Sequence, residues 1–81
     1  MKIRVRFFAR ARDLAGTDAA TLEIPEGATV KDLRDRLART YPSLANLLER
    51  SALAVHDEFA PESLVLLPDT DVALLPPVSG G

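Results

Sequence analysis

Three patterns predict an α+β fold for this chain: an alternating basic and apolar run at the N-terminus, one capped amphipathic helix near the middle, and a last apolar run closed by Pro-Pro. Ile3, Val5 and Phe7 alternate with Lys2, Arg4 and Arg6, the period of two of a strand with one face in a core and the other toward water. The same alternation places Phe8 on the outer face, where a large aromatic ring has no obvious packing partner. Asp13 to Asp18, containing Gly16, reads as a turn region, and Ala9 to Ala15 leaves room for a short helical start before it. A second strand through Leu22 and Ile24 then completes a hairpin with the first.

Pro25-Glu26-Gly27 signals a turn, and Thr29 followed three residues later by Asp32 resembles a capping box whose usual Glu or Gln is shortened. A helix follows, with Val30, Leu33 and Leu37 at i, i+3 and i+7 as its apolar stripe, and Lys31, Asp32, Arg34, Asp35, Arg36 and Arg39 as its solvated remainder. Pro42 stops it near Thr40, and Ser43 is placed to cap a shorter helix through Leu44, Leu47 and Leu48. Leu53 and Val55 suggest a strand, Phe59 its continuation, and Leu64 to Leu67 a further apolar segment. After the turn Pro68-Asp69-Thr70-Asp71, Val72 to Leu75 forms the last strand. Two strands, a helix and further strands make a mixed sheet packed on one main helix, of the β-grasp type, with a connection between the second and third strands long enough for a crossover. The domain spans residues 1–75, and residues 76–81 form a tail, because Pro76 and Pro77 remove two backbone donors and end the sheet.

The chain has 81 residues, 47% hydrophobic and 27% charged, with no long uncharged apolar run: one small globular unit, expected to be soluble, without a membrane span. A unit of this size buries only about 60% of its unfolded surface, so function is expected on its surface or at an end, not in an internal pocket. Ten Lys and Arg against twelve Asp and Glu give a net charge of -2 and no general attraction to nucleic acid. The sign is unevenly spread: Lys2, Arg4, Arg6, Arg10 and Arg12 occur with no acid among the first twelve residues, and no Lys or Arg follows Arg50. Cross-strand ion pairing and a docking surface both account for that asymmetry. No secretory signal is visible at the N-terminus, which makes a cytoplasmic location the default expectation.

Side-chain chemistry is sparse. Cys is absent, and His56 is the only His, so neither has a companion ligand for a metal site; Asp57 and Glu58 beside it read as a solvated turn. Asp69 and Asp71 lack the remaining ligands and the central Gly of a calcium loop. Gly16 stands alone, with no GxGxxG or GxxxxGK[ST] pattern, so ATP has to come on a partner. The group that remains is the terminal carboxylate on Gly80-Gly81. Two glycines make a thin end that passes through a narrow channel without side-chain clash, and the Pro-Pro stem holds it away from the body. A carboxylate oxygen attacks an ATP phosphate to give an acyl adenylate with a good leaving group, so such an end becomes reactive once activated.

Leu75-Pro76-Pro77-Val78-Ser79-Gly80-Gly81, with Phe7-Phe8-Ala9-Arg10 near the start, resembles the signatures of the molybdopterin synthase small subunits, the MoaD-like sulfur carriers of ubiquitin-like β-grasp fold. Arg12-Asp13-Leu14-Ala15-Gly16, Pro25-Glu26-Gly27-Ala28-Thr29-Val30 and Asp71-Val72-Ala73 extend the likeness over essentially the whole chain. His56 departs from it, standing where such proteins often have Asn, and Pro68-Asp69-Thr70-Asp71 replaces the more usual Asp-Gly-Asp-Glu turn. The resemblance implies a carrier that binds no cofactor itself. Its Gly81 carboxylate is adenylated by an ATP-dependent, ubiquitin-activating-like adenylyltransferase and converted to a thiocarboxylate with sulfur from outside. The tail then enters the large catalytic subunit of molybdopterin synthase and donates sulfur to cyclic pyranopterin monophosphate, forming the dithiolene. It also implies an apolar docking patch, for which Phe8, Phe59 and Leu75 are the matching positions, with Arg12 as a nearby polar contact and Pro76, Pro77, Val78 and Ser79 as the stem. Two other expectations share the same terminal chemistry: a sulfur carrier for thiazole or amino-acid biosynthesis, and a ubiquitin-like protein modifier or interaction module.

Overall fold

A computed structural model describes residues 1–77. The elements run β1 (Lys2–Phe7), α1 (Ala9–Ala15), β2 (Ala19–Glu23), α2 (Val30–Thr40), a 3-10 turn (Pro42–Leu44), α3 (Ala45–Leu48), β3 (Ala52–Val55), β4 (Glu58–Phe59) and β5 (Asp71–Leu75). The sheet has the order β2-β1-β5-β3-β4, with β1 and β5 parallel at its centre and the other pairs antiparallel. This is the β-grasp arrangement expected from the sequence pattern.

One face of the sheet carries the core. Ile3, Val5 and Phe7 of β1, Leu22 of β2, Leu53 of β3, and Val72 and Leu74 of β5 are buried against Val30, Leu33 and Leu37 of α2 and Leu44, Leu47 and Leu48. Phe7 meets the Tyr41 ring edge-on, with centroids 5.4 Å apart. Each fully buried leucine removed to alanine from so small a core costs about 2–5 kcal/mol. The other sheet face is open.

α2 forms where the sequence indicates. The Thr29 backbone N–H donates to Asp32 Oδ2 at 2.9 Å, and the Asp32 N–H donates to Thr29 Oγ1 at 3.3 Å, so the shortened capping box closes. Two more N–H groups at this helix start, those of Val30 and Lys31, donate to the carbonyls of Leu64 and Glu62. The hydrogen bond from the Thr29 backbone, reinforced by the Thr29 side chain and by nearby Lys31, holds the Asp32 carboxyl below the usual carboxylate range. A depressed folded-state pKa stabilises the fold in full above the unfolded value, and that contribution disappears as pH falls through the folded one. Asp32→Asn is therefore expected to leave a shallower loss of stability between about pH 5 and pH 2 than the parent shows, read from urea midpoints along that range. An identical acid slope in both proteins would contradict this role.

Three local expectations change: the Ser43 cap, the start of the last strand and the end of the second. Ser43 does not cap a helix: its hydroxyl donates to the Leu14 carbonyl at 2.9 Å, tying the 3-10 turn to α1, and Leu44 occupies the cap position of α3 without a side-chain bond. The apolar segment Leu64 to Leu67, to which the sequence assigns no element, is a loop stapled by a single bridge between Thr29 and Val65, with Leu66 alone buried. The last strand starts at Asp71, not Val72, and the second stops at Glu23, although the Ile24 N–H still donates to the Met1 carbonyl. The short helical start expected at Ala9 to Ala15 does form, as a helix closed by Gly16 at φ 75°, whose N–H reaches the Arg12 carbonyl.

His56 and Asp57 make the two-residue turn between Val55 and Glu58, with φ of 52° and 64°. Positive φ at both central positions defines a type I′ hairpin, in which Asn-Gly is the favoured pair because Gly meets no Cβ penalty. Asp57→Gly is expected to stabilise the domain by about 0.5–1 kcal/mol, seen as a rise of a few degrees in thermal midpoint. A lowered midpoint would show that Asp57 contributes more than a turn conformation.

Candidate functional site

The open sheet face supplies the site, and strand pairing explains its shape. Ala54 lies opposite Ala73, Ala52 opposite Leu75, and Phe59 opposite Ala54. The alanines are short, so the middle of the face is low. Ala54 and Ala73 are buried yet stand outside the core cluster, because they form the floor of this face. The large side chains rise around them, with Phe59 77% exposed and Phe8 40% exposed.

Phe8 reaches the face through an unusual piece of backbone. It leaves β1 extended, and Ala9 then takes φ 50°, a left-handed conformation that costs a non-glycine residue about 1 kcal/mol. That reversal turns the chain into α1 and leaves Phe8 on the solvent side. The Arg6 guanidinium sits 5.6 Å over the Phe8 ring, and Arg6 Nε is 3.3 Å from Asp71 Oδ1. In β5, Leu74 points into the core and Leu75 onto the open face, where it is half-buried.

These side chains enclose a surface groove of about 520 Å³ lined chiefly by Phe8, Ala52, Phe59, Leu75, Pro76 and Pro77, with Arg50 at its edge. Its wall is almost wholly apolar, and it runs to the point where the chain leaves β5. A smaller depression beside it holds Arg6, Ala54, Asp57 and Ala73. The structure thus brings Phe8, Phe59, Leu75, Pro76 and Pro77 together. Arg12 lies on the far side of Phe8, in a separate groove with Arg4 and Arg6. Val78, Ser79, Gly80 and Gly81 fall outside the described residues. Arg50, the alanine floor and the Ala9 reversal were not picked out from sequence. The alternation of Ala52 and Ala54 with Leu53 and Val55 was a legible sign of a low outward face, whereas the conformation of Ala9 leaves no mark in composition. Among the described residues there is no group of three or more His, Asp or Glu able to hold a metal ion, and no helix long and apolar enough to cross a membrane.

A β-grasp domain whose C-terminal segment issues beside an apolar sheet face is the class of protein that the fold and site define. Within that class the chain belongs to the ThiS family, whose model matches residues 5–81. It is 36% identical over 81 residues to the molybdopterin synthase sulfur carrier subunit of Arabidopsis thaliana, covering 100% of this chain and 84% of that protein. Among solved structures, the small archaeal modifier protein SAMP1 of Haloferax volcanii superposes with a TM-score of 0.89 at 25% identity, covering 100% of both chains. A complex of subunits 1 and 2 of the molybdopterin-converting factor of Helicobacter pylori contains a chain that matches with a TM-score of 0.72 at 27% identity, again covering 100% of both.

Proposed function

We propose that this chain is the sulfur carrier subunit of molybdopterin synthase. The observation that carries the reading is the position of Pro76 and Pro77: the C-terminal segment departs from the rim of the apolar groove formed by Phe8, Phe59 and Leu75. A partner that covers this groove therefore receives the chain end at the same place. The full-length similarity to sulfur carrier subunits, and to a structure in which subunits 1 and 2 form a complex, supports the same assignment.

The chemistry assigned to Gly81 proceeds in three steps. A carboxylate oxygen attacks the α-phosphate of ATP on an adenylyltransferase, forming the acyl adenylate and releasing pyrophosphate. A sulfur nucleophile delivered by a donor then displaces AMP, leaving a thiocarboxylate. In the large subunit the terminal sulfur attacks cyclic pyranopterin monophosphate, and hydrolysis of the resulting thioester returns the glycine carboxylate and leaves one sulfur on the pterin; a second loaded carrier supplies the other sulfur of the dithiolene. The carrier contributes the tail and the docking face, while the large subunit contributes most of the catalytic groups. Sulfur is the better nucleophile at neutral pH, and a chain without Cys offers no internal thiol to intercept the activated end.

Co-expression with the activating enzyme from the same genome, followed by intact-mass measurement, tests this reading. A fraction of the protein should gain the mass of one sulfur-for-oxygen exchange and should convert the pterin precursor when mixed with the large subunit. The likeness to SAMP1 favours one second reading, a protein modifier joined through Gly81 to lysines. Lysine-linked adducts without any thiocarboxylate would establish that reading instead. A thiocarboxylate that loads normally but serves only thiazole or amino-acid synthesis would place the same chemistry in another pathway.

A further inference from the structure

The charge asymmetry of the sequence has two explanations, and the structure separates them. Cross-strand pairing accounts for little of it: of the five basic side chains in the first twelve residues, only Arg6 has a carboxylate within ion-pair distance among the described residues, namely Asp71. Arg4 stands on the open face between Thr21 and Asp71 in the strand register, and Arg12 is exposed on α1. Arg4, Arg6 and Arg12 line one groove of about 240 Å³ with Phe8 and Ala19, and Asp18 is its only acid among the described residues. Three guanidinium groups around a shallow groove repel one another and contribute nothing to the core. The surrounding chain is net negative, so overall composition does not produce this patch.

Phe8 belongs to both this groove and the apolar one beside the chain exit. The two grooves therefore adjoin across the Phe8 ring, apolar on the tail side and cationic on the other. We propose that the cationic part receives an acidic segment of the protein that takes the tail, so that charge steers the encounter and Phe8 and Phe59 then seat it. This rests on the sulfur-carrier reading, and it adds the chemistry of the partner surface. Long-range attraction of this kind raises the association rate more than it slows dissociation, and it weakens with salt because the Debye length falls from about 10 Å at 0.1 M to about 3 Å at 1 M.

The probe is the molybdopterin synthase large subunit from the same genome, with association followed by stopped flow at low and high NaCl. Arg4→Glu combined with Arg12→Glu is expected to lower the association rate about tenfold or more at low salt, with the gap closing at high salt. Arg39→Glu, the same change of charge on the exposed side of α2, should leave the rate within about twofold, and circular dichroism establishes that each variant is folded. Equal rates and equal salt dependence for the parent and the double variant, with docking still impaired by Phe8→Ala, would overturn the inference and leave the sulfur-carrier reading standing. Tight binding of inorganic phosphate to the groove, without any salt effect on docking, would also overturn it by making this a small-anion site. Failure of the parent chain to bind the large subunit, together with the absence of terminal sulfur, would instead remove the reading on which the inference rests.

Discussion

Removal of Gly81 is expected to reduce sulfur loading and pterin conversion to background while the unfolding free energy measured in urea stays within about 0.5 kcal/mol of the parent. The stability half of this result follows from the packing. Among the described residues the last core side chain is Leu74, and Leu75, Pro76 and Pro77 lie on the outer face or beyond it, so the core cluster ends well before the residue removed. The functional half follows from reach. Six extended residues span about 20 Å, and one residue fewer withdraws the reactive carboxylate by about 3.5 Å, enough to lose alignment in a channel that accepts a reactive atom at near-contact distance. The truncated chain would still present Gly80 as a carboxylate, so the experiment separates the position of the end from its chemistry. Full sulfur loading and full activity in the truncated protein would refute the proposed role of Gly81.

Arg34→Ala is expected to destabilise the domain by about 2–3 kcal/mol, a large share of the roughly 4–12 kcal/mol that a chain of this size holds. Arg34 projects from α2 and joins three segments. Its Nη1 donates to the carbonyls of Leu48 and Ser51, the latter at 2.9 Å, and its Nη2 lies 2.7 Å from Glu62 Oε1. The guanidinium therefore fastens the end of α3 and the start of β3 to the loop before β5. Its side chain is 18% exposed, so truncation takes the donor from the part-buried Ser51 carbonyl and one of two donors from that of Leu48, and this loss outweighs that of the ion pair to the half-exposed Glu62. Glu62→Gln tests that apportionment: it should cost well under half of the Arg34→Ala effect in chemical denaturation. Equal costs would mean that the ion pair, not the carbonyl contacts, holds the loop. Arg34 also shows what the helical pattern conceals. On a helical wheel it borders the apolar stripe, one turn from both Val30 and Leu37 and away from Arg36 and Arg39, but spacing alone does not show which distant segment covers that flank.

The legible part of the fold was the part governed by local periodicity. The alternation of β1, the i, i+3, i+7 stripe of α2 and the Thr29–Asp32 cap each rest on contacts within a few residues, and they formed at the expected places. Ser43 was misread, and the Leu64–Leu67 segment was left without an assigned element, for one common reason. Ser43 has the right chemistry for a cap, but the Leu14 carbonyl, 29 residues away, competes successfully for its hydroxyl. Leu64 to Leu67 has strand composition, yet its polar backbone groups go to the start of α2 and to Ala28, which leaves Leu64, Val65 and Leu67 exposed. In both cases a partner distant in sequence decided the outcome.

The sequence by itself determined the class of fold and the face of each main element that enters the core, and the terminal Gly-Gly enters only as the proposed reactive group of a chain without Cys and with a single His. Only the tertiary structure decided how the surface is organised. Phe8 and Phe59 stand 51 positions apart in the chain and meet because β5 inserts between β1 and β3. The same insertion lowers the face to an alanine floor, sets Leu75 outward and Leu74 inward, and gathers three arginines on the other side of Phe8. Periodicity reports which side of an element is buried, because burial acts on each element separately. A binding face is assembled from the outward residues of several elements, and their order in the sheet is fixed by packing across the whole chain.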